Sequence, residues 1–305
     1  MRYDEAYLYG VKRLEEADIA EAKLDARLLL EYVCGTDRNT LLAHPEREVG
    51  NEEEISYVNY IERRIKRIPL QYITGTQDFM GLQFYVNDKV LIPRQDTEIL
   101  VEEVMLHLHD GMRILDLCTG SGCILISLLQ YSNDCAGVGT DFSKEALEIA
   151  SQNAASILER KGIRTVAGEA YPVNNEIHFL WGDLFAPFYE AAVPGKEIKF
   201  DILVSNPPYI PTKVISTLEP EVAVYEPFMA LDGREDGLFF YRKIIAGAGK
   251  YLTRGGKLFF EIGYDQGEAV SGLLMDAGFV DIEIKKDYAG LNRVVFGTFL
   301  EDENV

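Results

Sequence analysis

Arg113-Ile114-Leu115-Asp116-Leu117-Cys118-Thr119-Gly120-Ser121-Gly122 reads as an apolar strand running into a glycine-containing loop. The apolar run from Cys123 to Leu129 continues as a buried helix and is too short to cross a bilayer. Downstream the pattern repeats. Strands are expected at 112–117, 136–140, 177–181, 200–205, 257–262, 280–285 and 293–300, with helices at 124–130, 144–155, 238–251 and 266–277. Strands alternating with helices imply a Rossmann-like α/β domain with a doubly wound, mostly parallel sheet, here of seven strands. The acidic tail 301–305 is expected to fray.

In such sheets ligands bind beyond the carboxyl ends of the strands, and two ligand classes compete for this loop. A dinucleotide wants three glycines, G-x-G-x-x-G, but Gly120-x-Gly122 is followed by Cys123, Ile124 and Leu125. Asp116 at the strand end would also repel a diphosphate. S-adenosylmethionine carries no phosphate and bears an ammonium and a sulfonium, which suit a carboxylate at the loop entry. Asp141 ends the next strand, where an acid can accept both hydroxyls of a ribose. Asp183 follows the 177–181 strand, where it can accept from an adenine amino group, with Leu184 and Phe185 beside it to pack on the ring. Each feature alone has a plainer reading: Asp141 or Ser143 also suits a cap on the helix at Lys144. Their order and spacing favour an adenosyl cofactor.

Asn206-Pro207-Pro208-Tyr209 follows the apolar strand 200–205. Two prolines stiffen the loop and leave carbonyls free, because proline fixes φ and has no N–H. Asn206 adds an amide oxygen and Tyr209 an aromatic face. That set suits a planar –NH2 group: Asn206 Oδ1 and the Pro207 carbonyl each accept one N–H, and stacking on Tyr209 orients the plane. The chemistry implied is methyl transfer to an amide or amino nitrogen.

Upstream, residues 1–75 read as a helical domain, with apolar residues at helical spacing in Leu8, Val11, Leu14, in Leu24, Leu28, Leu29, Tyr32, and in Ile55, Val58, Ile61, Ile65. Asp18 is a candidate N-cap for the second helix, which Cys34-Gly35 closes. Residues 76–95 read as a β-hairpin linker with its turn at Asn87-Asp88, and 96–305 as the α/β domain.

Composition narrows the function further. The net charge of −20 makes the chain a poor phosphate binder, so no stable nucleic-acid binding is expected. The basic cluster Arg63, Arg64, Lys66, Arg67 reads as a solvated helix face. Four cysteines without C-x-x-C spacing read as reduced thiols, and with His107-x-His109 expected to be exposed, no metal site is called. Neither a secretory signal nor a membrane span is read, which points to the cytoplasm.

Taken together, these motifs resemble the HemK/PrmC family, the peptide chain release factor glutamine methyltransferases. The resemblance is carried by Asn206–Tyr209, by the block Pro69-Leu70-Gln71-Tyr72-Ile73-Thr74-Gly75, by Phe79-x-Gly81-Leu82-x-Phe84-x-Val86, and by Leu91-Ile92-Pro93-Arg94 with Thr97-Glu98. Glu226-Pro227, Ala230-Leu231-Asp232-Gly233, Asp236-Gly237-Leu238 and Glu261-Ile262-Gly263 fit as well. It implies a class I methyltransferase domain behind a helical domain that docks class 1 release factors. The implied reaction methylates the glutamine of their Gly-Gly-Gln loop, modulating translation termination and leaving S-adenosylhomocysteine. It also implies that Cys118, Thr119, Gly120, Ser121, Gly122, Asp141, Leu184 and Asn206 line the cofactor site, and that Asn206, Pro207, Pro208 and Tyr209 bind the substrate amide. Three positions depart from the family pattern: Cys118 where a glycine is frequent, Leu184 where some relatives carry an aromatic residue, and Gln95-Asp96 where Pro-Glu is commoner. The main alternative is a nucleic-acid adenine-N6 or guanine-N2 methyltransferase, which would need a basic face and a flipped base. A non-catalytic adenosyl-binding protein has no use for the Asn206–Tyr209 loop, and a nicotinamide dehydrogenase lacks its glycine fingerprint here.

Overall fold

The computed structural model describes residues 1–167, 173–190 and 198–300, so the tail 301–305 lies outside the described residues. The chain divides into two compact units: Met1–Thr76 with Leu218–Tyr225, and Gln77–Thr217 with Glu226–Val305.

The first unit is helical, with its longest helices at Tyr3–Glu16, Ala22–Cys34 and Asn51–Ile65. Its core is built on Leu14, Leu29, Leu30, Tyr57 and Ile61. The buried stripe is offset from the expected one. Leu8, Leu24 and Ile55 are exposed, and the inward face of the last helix is Tyr57, Ile61 and Arg64. Tyrosine takes an inner position because its O–H reaches the Ala26 carbonyl at 3.1 Å. Asp18 is not a cap. It sits at positive φ in the turn before the helix, while Gly35 closes that helix in the left-handed conformation. The basic cluster is not a free face either: Arg64 is buried and pairs with Asp25 at 2.7 Å and Glu221 at 2.9 Å, and Arg67 pairs with Glu221 at 3.4 Å. A buried guanidinium needs such partners, and they draw the 218–225 segment into this unit.

The second unit opens with a hairpin of β1 (Thr76–Phe79) and β2 (Leu82–Tyr85). Its turn is Met80-Gly81, both at positive φ, as a two-residue hairpin loop requires. Asn87 instead makes a local turn, its Oδ1 accepting from Lys89 N at 2.9 Å, and residues 90–92 form no strand. The helix Gln95–Met105 leads to the main sheet.

That sheet contains β3 (Arg113–Leu117), β4 (Ala136–Asp141), β5 (Arg164–Ala167), β6 (Glu176–Trp181), β7 (Phe200–Ser205), β8 (Leu252–Glu261), β9 (Phe279–Lys286) and β10 (Asn292–Phe299), in the order β5-β6-β4-β3-β7-β8-β10-β9. Seven of the strands run in one direction; β10 alone is reversed and pairs antiparallel with β8 on one side and β9 on the other. Among the described residues this sheet has eight strands rather than the expected seven. The addition is β5, four residues long at the sheet edge with β6 as its sheet neighbour, too short to show alternation. Alternate residues of each strand enter opposite cores: Leu115, Leu117 and Leu203 on one face, Ile114, Ile202 and Val204 on the other. The strand order reverses direction between β3 and β7, and the loops leaving these two strands form the site.

Candidate active site

The loop after β3 is shaped by bonds between residues close in sequence. Asp116 is fully buried, and its Oδ2 accepts from Thr119 Oγ1 at 2.6 Å. Burial pushes the Asp116 carboxyl up to about 7, with the Thr119 hydroxyl opposing and nearby Asp141 adding to the shift. Thr119 N donates to the Thr140 carbonyl, and Gly122 N closes back on Thr119 O. Cys118 stands at φ 60, where glycine would be unstrained. Its thiol is held far above its ordinary value by burial and by Asp141 and Asp116. Asn153 locks the loop from outside, donating to the Ser121 carbonyl at 2.9 Å and to the Tyr85 carbonyl at 3.1 Å.

Asp141 ends β4 with its carboxylate facing a cavity of about 400 Å³. It accepts from Gly120 N and Ser143 N, both at 2.9 Å. Burial raises its pKa against those N–H groups. The cap on the next helix is Ser143, whose Oγ accepts from Ala146 N at 3.1 Å. Asp183 is half-exposed and pairs with Lys243 at 3.2 Å. Leu184, at φ 52, turns onto the cavity wall, whereas Phe185 points into the core and stacks on Tyr251 at 4.8 Å. Phe185 therefore packs no ligand ring.

From β7, Asn206 and Pro208 reach the same cavity. Asn206 Nδ2 donates to Thr97 Oγ1 at 3.4 Å, and its Oδ1 has no partner among the described residues. Pro207 is buried. Tyr209 is not part of the lining; its O–H donates to Glu261 Oε1 at 3.2 Å, and burial beside that carboxylate raises its pKa.

So Cys118, Gly120, Asp141, Asp183, Leu184, Asn206 and Pro208 line one cavity, while Asp116, Thr119, Ser121, Gly122, Pro207 and Tyr209 adjoin them in the chain without being part of its lining. The cavity also takes in residues singled out by motif resemblance alone: Pro227, Ala230 and Asp232. Its cations come paired. Arg234 bonds Asp232 at 3.0 Å, Lys243 bonds Asp183, and Lys89 bonds Asp88 at 2.9 Å. A wall of carboxylates, amide oxygen and apolar side chains, with its lysines and arginine neutralised, fits a cationic adenosyl group better than a diphosphate.

Residue-by-residue reading missed the supports of the Asn206–Tyr209 loop. Gln266 is buried; its Nε2 donates to the Tyr209 carbonyl at 3.0 Å and to the Gly237 carbonyl at 3.3 Å, and its Oε1 accepts from Gly263 N at 2.9 Å. Gly233 and Gly237 press against the Tyr209 backbone: a Cβ on Gly237 would lie 2.3 Å from Tyr209 O, and one on Gly233 2.7 Å from Tyr209 Cα. Gly233 and Gly237 fall within the motif blocks quoted above, but their role depends on a loop far away in sequence and no local pattern discloses it. Among the described residues no cluster of three or more His, Cys, Asp or Glu could hold a metal, and no helix is long and apolar enough to cross a membrane. His109 is exposed, but His107 is half-buried against the rings of Phe259 and Phe296.

Comparison with known proteins adds to this geometry. A family model described as the PrmC N-terminal domain matches residues 5–75, and one described as a methyltransferase domain matches residues 108–169. The chain is 40% identical to a release factor glutamine methyltransferase of Geobacter sulfurreducens, over 93% of this chain and 92% of that one. It is 38% identical to a release factor glutamine methyltransferase of Clostridium acetobutylicum, over 97% and 98% of the two chains. The crystal structure of a release factor-specific protein-(glutamine-N5) methyltransferase from Alicyclobacillus acidocaldarius is 27% identical, covers 72% of this chain and 100% of its own, and superposes with a TM-score of 0.39.

Proposed function

This chain belongs to the release factor glutamine methyltransferase family, and on that premise we propose that it methylates the side-chain amide nitrogen of the glutamine in the Gly-Gly-Gln loop of class 1 release factors. The observation that carries this reading is the meeting, in one cavity, of the Asp141 carboxylate and the unpartnered Asn206 Oδ1. S-adenosylmethionine, when bound, supplies the methyl group as an electrophile. Asp141, Asp183, Leu184 and the Cys118–Gly122 loop would hold it.

The chain's own residues then solve the problem of a poor nucleophile. A primary amide nitrogen is weak because its lone pair is delocalised into the carbonyl. Asn206 Oδ1 and the Pro207 carbonyl accept its two N–H groups, which fixes the amide plane and aims the nitrogen. Such orientation supplies a large part of a barrier reduction. As positive charge grows on nitrogen, those two acceptors stabilise it. No general base is assigned, because the nitrogen becomes acidic after transfer and can release its proton then. Tyr209, held by Glu261 and Gln266, supports the loop backbone rather than stacking on the amide. Residues 1–75 dock the release factor, 76–95 link the two functions and 96–305 carry the chemistry, which takes place in the cytoplasm and tunes translation termination.

The test is methyl transfer from radiolabelled S-adenosylmethionine to purified class 1 release factor, beside a factor with Gln→Ala in its Gly-Gly-Gln loop and beside bulk RNA and DNA. Label on the unaltered factor alone is the expected result. Label on nucleic acid but not on the factor would move the function to base methylation. Asn206→Ala should keep S-adenosylhomocysteine binding and lose roughly 10²-fold or more in kcat, as for loss of one oriented polar group.

A further inference from the structure

The hairpin β1–β2 reads from the sequence as part of a linker, and a linker needs no fixed seat. This one is held at both its turn and its end. At the turn, Met80 N donates to Glu98 Oε1 at 2.6 Å, and the Met80 carbonyl accepts from the Tyr131 hydroxyl at 2.6 Å. Phe79 and Phe84, on either side of the turn, are buried in the core and meet edge to face with ring centroids 6.0 Å apart. At the end, Tyr85 N donates to Asn153 Oδ1 at 2.8 Å, and the Tyr85 carbonyl accepts from Asn153 Nδ2 at 3.1 Å. Among the described residues β2 pairs with β1 alone, so the Asn153 amide supplies at Tyr85 the donor and acceptor that a further strand would bring.

Asn153 is only 2% exposed, and Nδ2 also donates to the Ser121 carbonyl of the cofactor loop at 2.9 Å. The orientation of this amide is not free, because Tyr85 N can only donate and the two carbonyls can only accept. One side chain therefore joins the hairpin to the glycine loop. The helix that carries it, Lys144–Leu158 with its cap Ser143, turns a single face to that loop. Ser143 and Ala146 line the cavity, Ala150 packs so closely on Gly122 that a Cβ there would come within 3.2 Å of its own, and Asn153 follows three residues on. Steps of three, four and three residues keep these side chains in line. The helix Cys123–Tyr131, which starts at the glycine loop, ends in the tyrosine that holds Met80. We propose that Asn153 is a positioning residue for cofactor binding and that it makes the hairpin a brace of the Cys118–Gly122 loop: the amide fixes the Ser121 carbonyl to Tyr85, and the hairpin is fixed in turn through Met80 by Glu98 and Tyr131. Ser121 is itself buried, so removing the amide takes the donor from its carbonyl, and a buried carbonyl left without one costs enough to shift a loop. The inference rests on the reading of this loop as the S-adenosylmethionine site, not on the identity of the methyl acceptor.

The experiment measures S-adenosylhomocysteine binding, methyl transfer to release factor and hydrogen exchange of residues 118–125 for the wild type, Asn153→Leu, Tyr131→Phe and the double variant. Asn153→Leu keeps the size and removes the amide; Asn153→Ser takes its place should it not fold. The dissociation constant for S-adenosylhomocysteine and the KM for S-adenosylmethionine are expected to rise about tenfold, while kcat at saturating cofactor falls no more than about twofold, because the lost interaction serves ground and transition state alike. Residues 118–125 should exchange faster in the same variant. Tyr131→Phe removes only the hydroxyl on Met80 and lines no part of the cavity. It should weaken S-adenosylhomocysteine binding about threefold in the wild type and not at all beside Asn153→Leu, since the brace acts through that amide. Wild-type affinity in the folded Asn153 variant would leave the residue a merely structural one and overturn the proposal. An effect of Tyr131→Phe that is absent in the wild type, or equal in both backgrounds, would overturn the brace. A wild-type chain that binds S-adenosylhomocysteine yet leaves release factor unlabelled refutes the proposed substrate alone, and the binding constants of the variants still decide this inference; a wild-type chain that binds none refutes both.

Discussion

The two loops of the site leave neighbouring parallel strands, β3 and β7, yet they are held by opposite means. The Cys118–Gly122 loop is closed in part by its own neighbours, Thr119 bonding Asp116 three residues away and Gly122 bonding Thr119, and is tied at Gly120 to Asp141, 21 residues on, and at Ser121 to Asn153, 32 residues on. The Asn206–Tyr209 loop has two prolines and few donors of its own, so its partners come from far off. Thr97 is 109 residues away, Glu261 52 and Gln266 57. The cofactor half of the site therefore draws on local bonds and on the next strand and helix, and the substrate half on the more distant parts of the fold. Damage to the first should appear in cofactor binding, and damage to the second in turnover.

The strongest way to break this contrast is Gly237→Val. Glycine is required there because φ is +75° and a Cβ would meet Tyr209 O at 2.3 Å. Displacing the loop by even about 1 Å should cost about 10²-fold in kcat, read by single-turnover transfer, with S-adenosylhomocysteine affinity kept. Equal losses in both would show that the loops are not independent. Asp141→Ala probes the other half: the dissociation constant for S-adenosylhomocysteine should rise about tenfold, as for loss of charged hydrogen bonds. An unchanged constant would remove Asp141 from the ribose assignment.

Asp116 sharpens the comparison through pH. Its folded pKa of about 7 lies above that of the unfolded chain. As pH rises through that window the unfolded state sheds a proton that the folded state keeps, so stability falls. Asp116→Asn keeps an acceptor for Thr119 and has no charge to bury. Its stability gain over the wild type should therefore grow from about pH 4 to about pH 7, by on the order of 1–3 kcal/mol in denaturant melts. A gain independent of pH would mean that the carboxyl does not titrate there. The smallest effect is expected of Cys118→Gly, which relieves a left-handed residue but loosens the unfolded chain. A shift under about 1 kcal/mol in the unfolding midpoint is expected, with kcat unchanged.

Much of this was legible in the residues. The strand and glycine loop at 113–122, the acids after β4 and β6 and the Asn-Pro-Pro-Tyr turn announce themselves because backbone chemistry restricts what such short patterns can do. The misplaced details share a cause. Asn87-Asp88 has turn chemistry and does make a turn, but the hairpin closes at Met80-Gly81, where cross-strand pairing demands two positive φ values. Phe185 stands beside the cavity residue Leu184 in the chain, yet it turns into the core onto Tyr251, because packing rather than sequence position sets its direction.

The sequence by itself determined the alternation of strands and helices, the family and the class of reaction that belongs to it. These depend on residues adjacent in the chain, whose spacing survives without coordinates. Only the tertiary structure decided which of those residues face the cavity, that Gln266, Gly233 and Gly237 grip the Tyr209 backbone, and that Thr97 bonds Asn206 while Glu261 bonds Tyr209. Such roles arise from packing between segments tens of residues apart, where a buried polar atom must find its partner wherever the fold brings one.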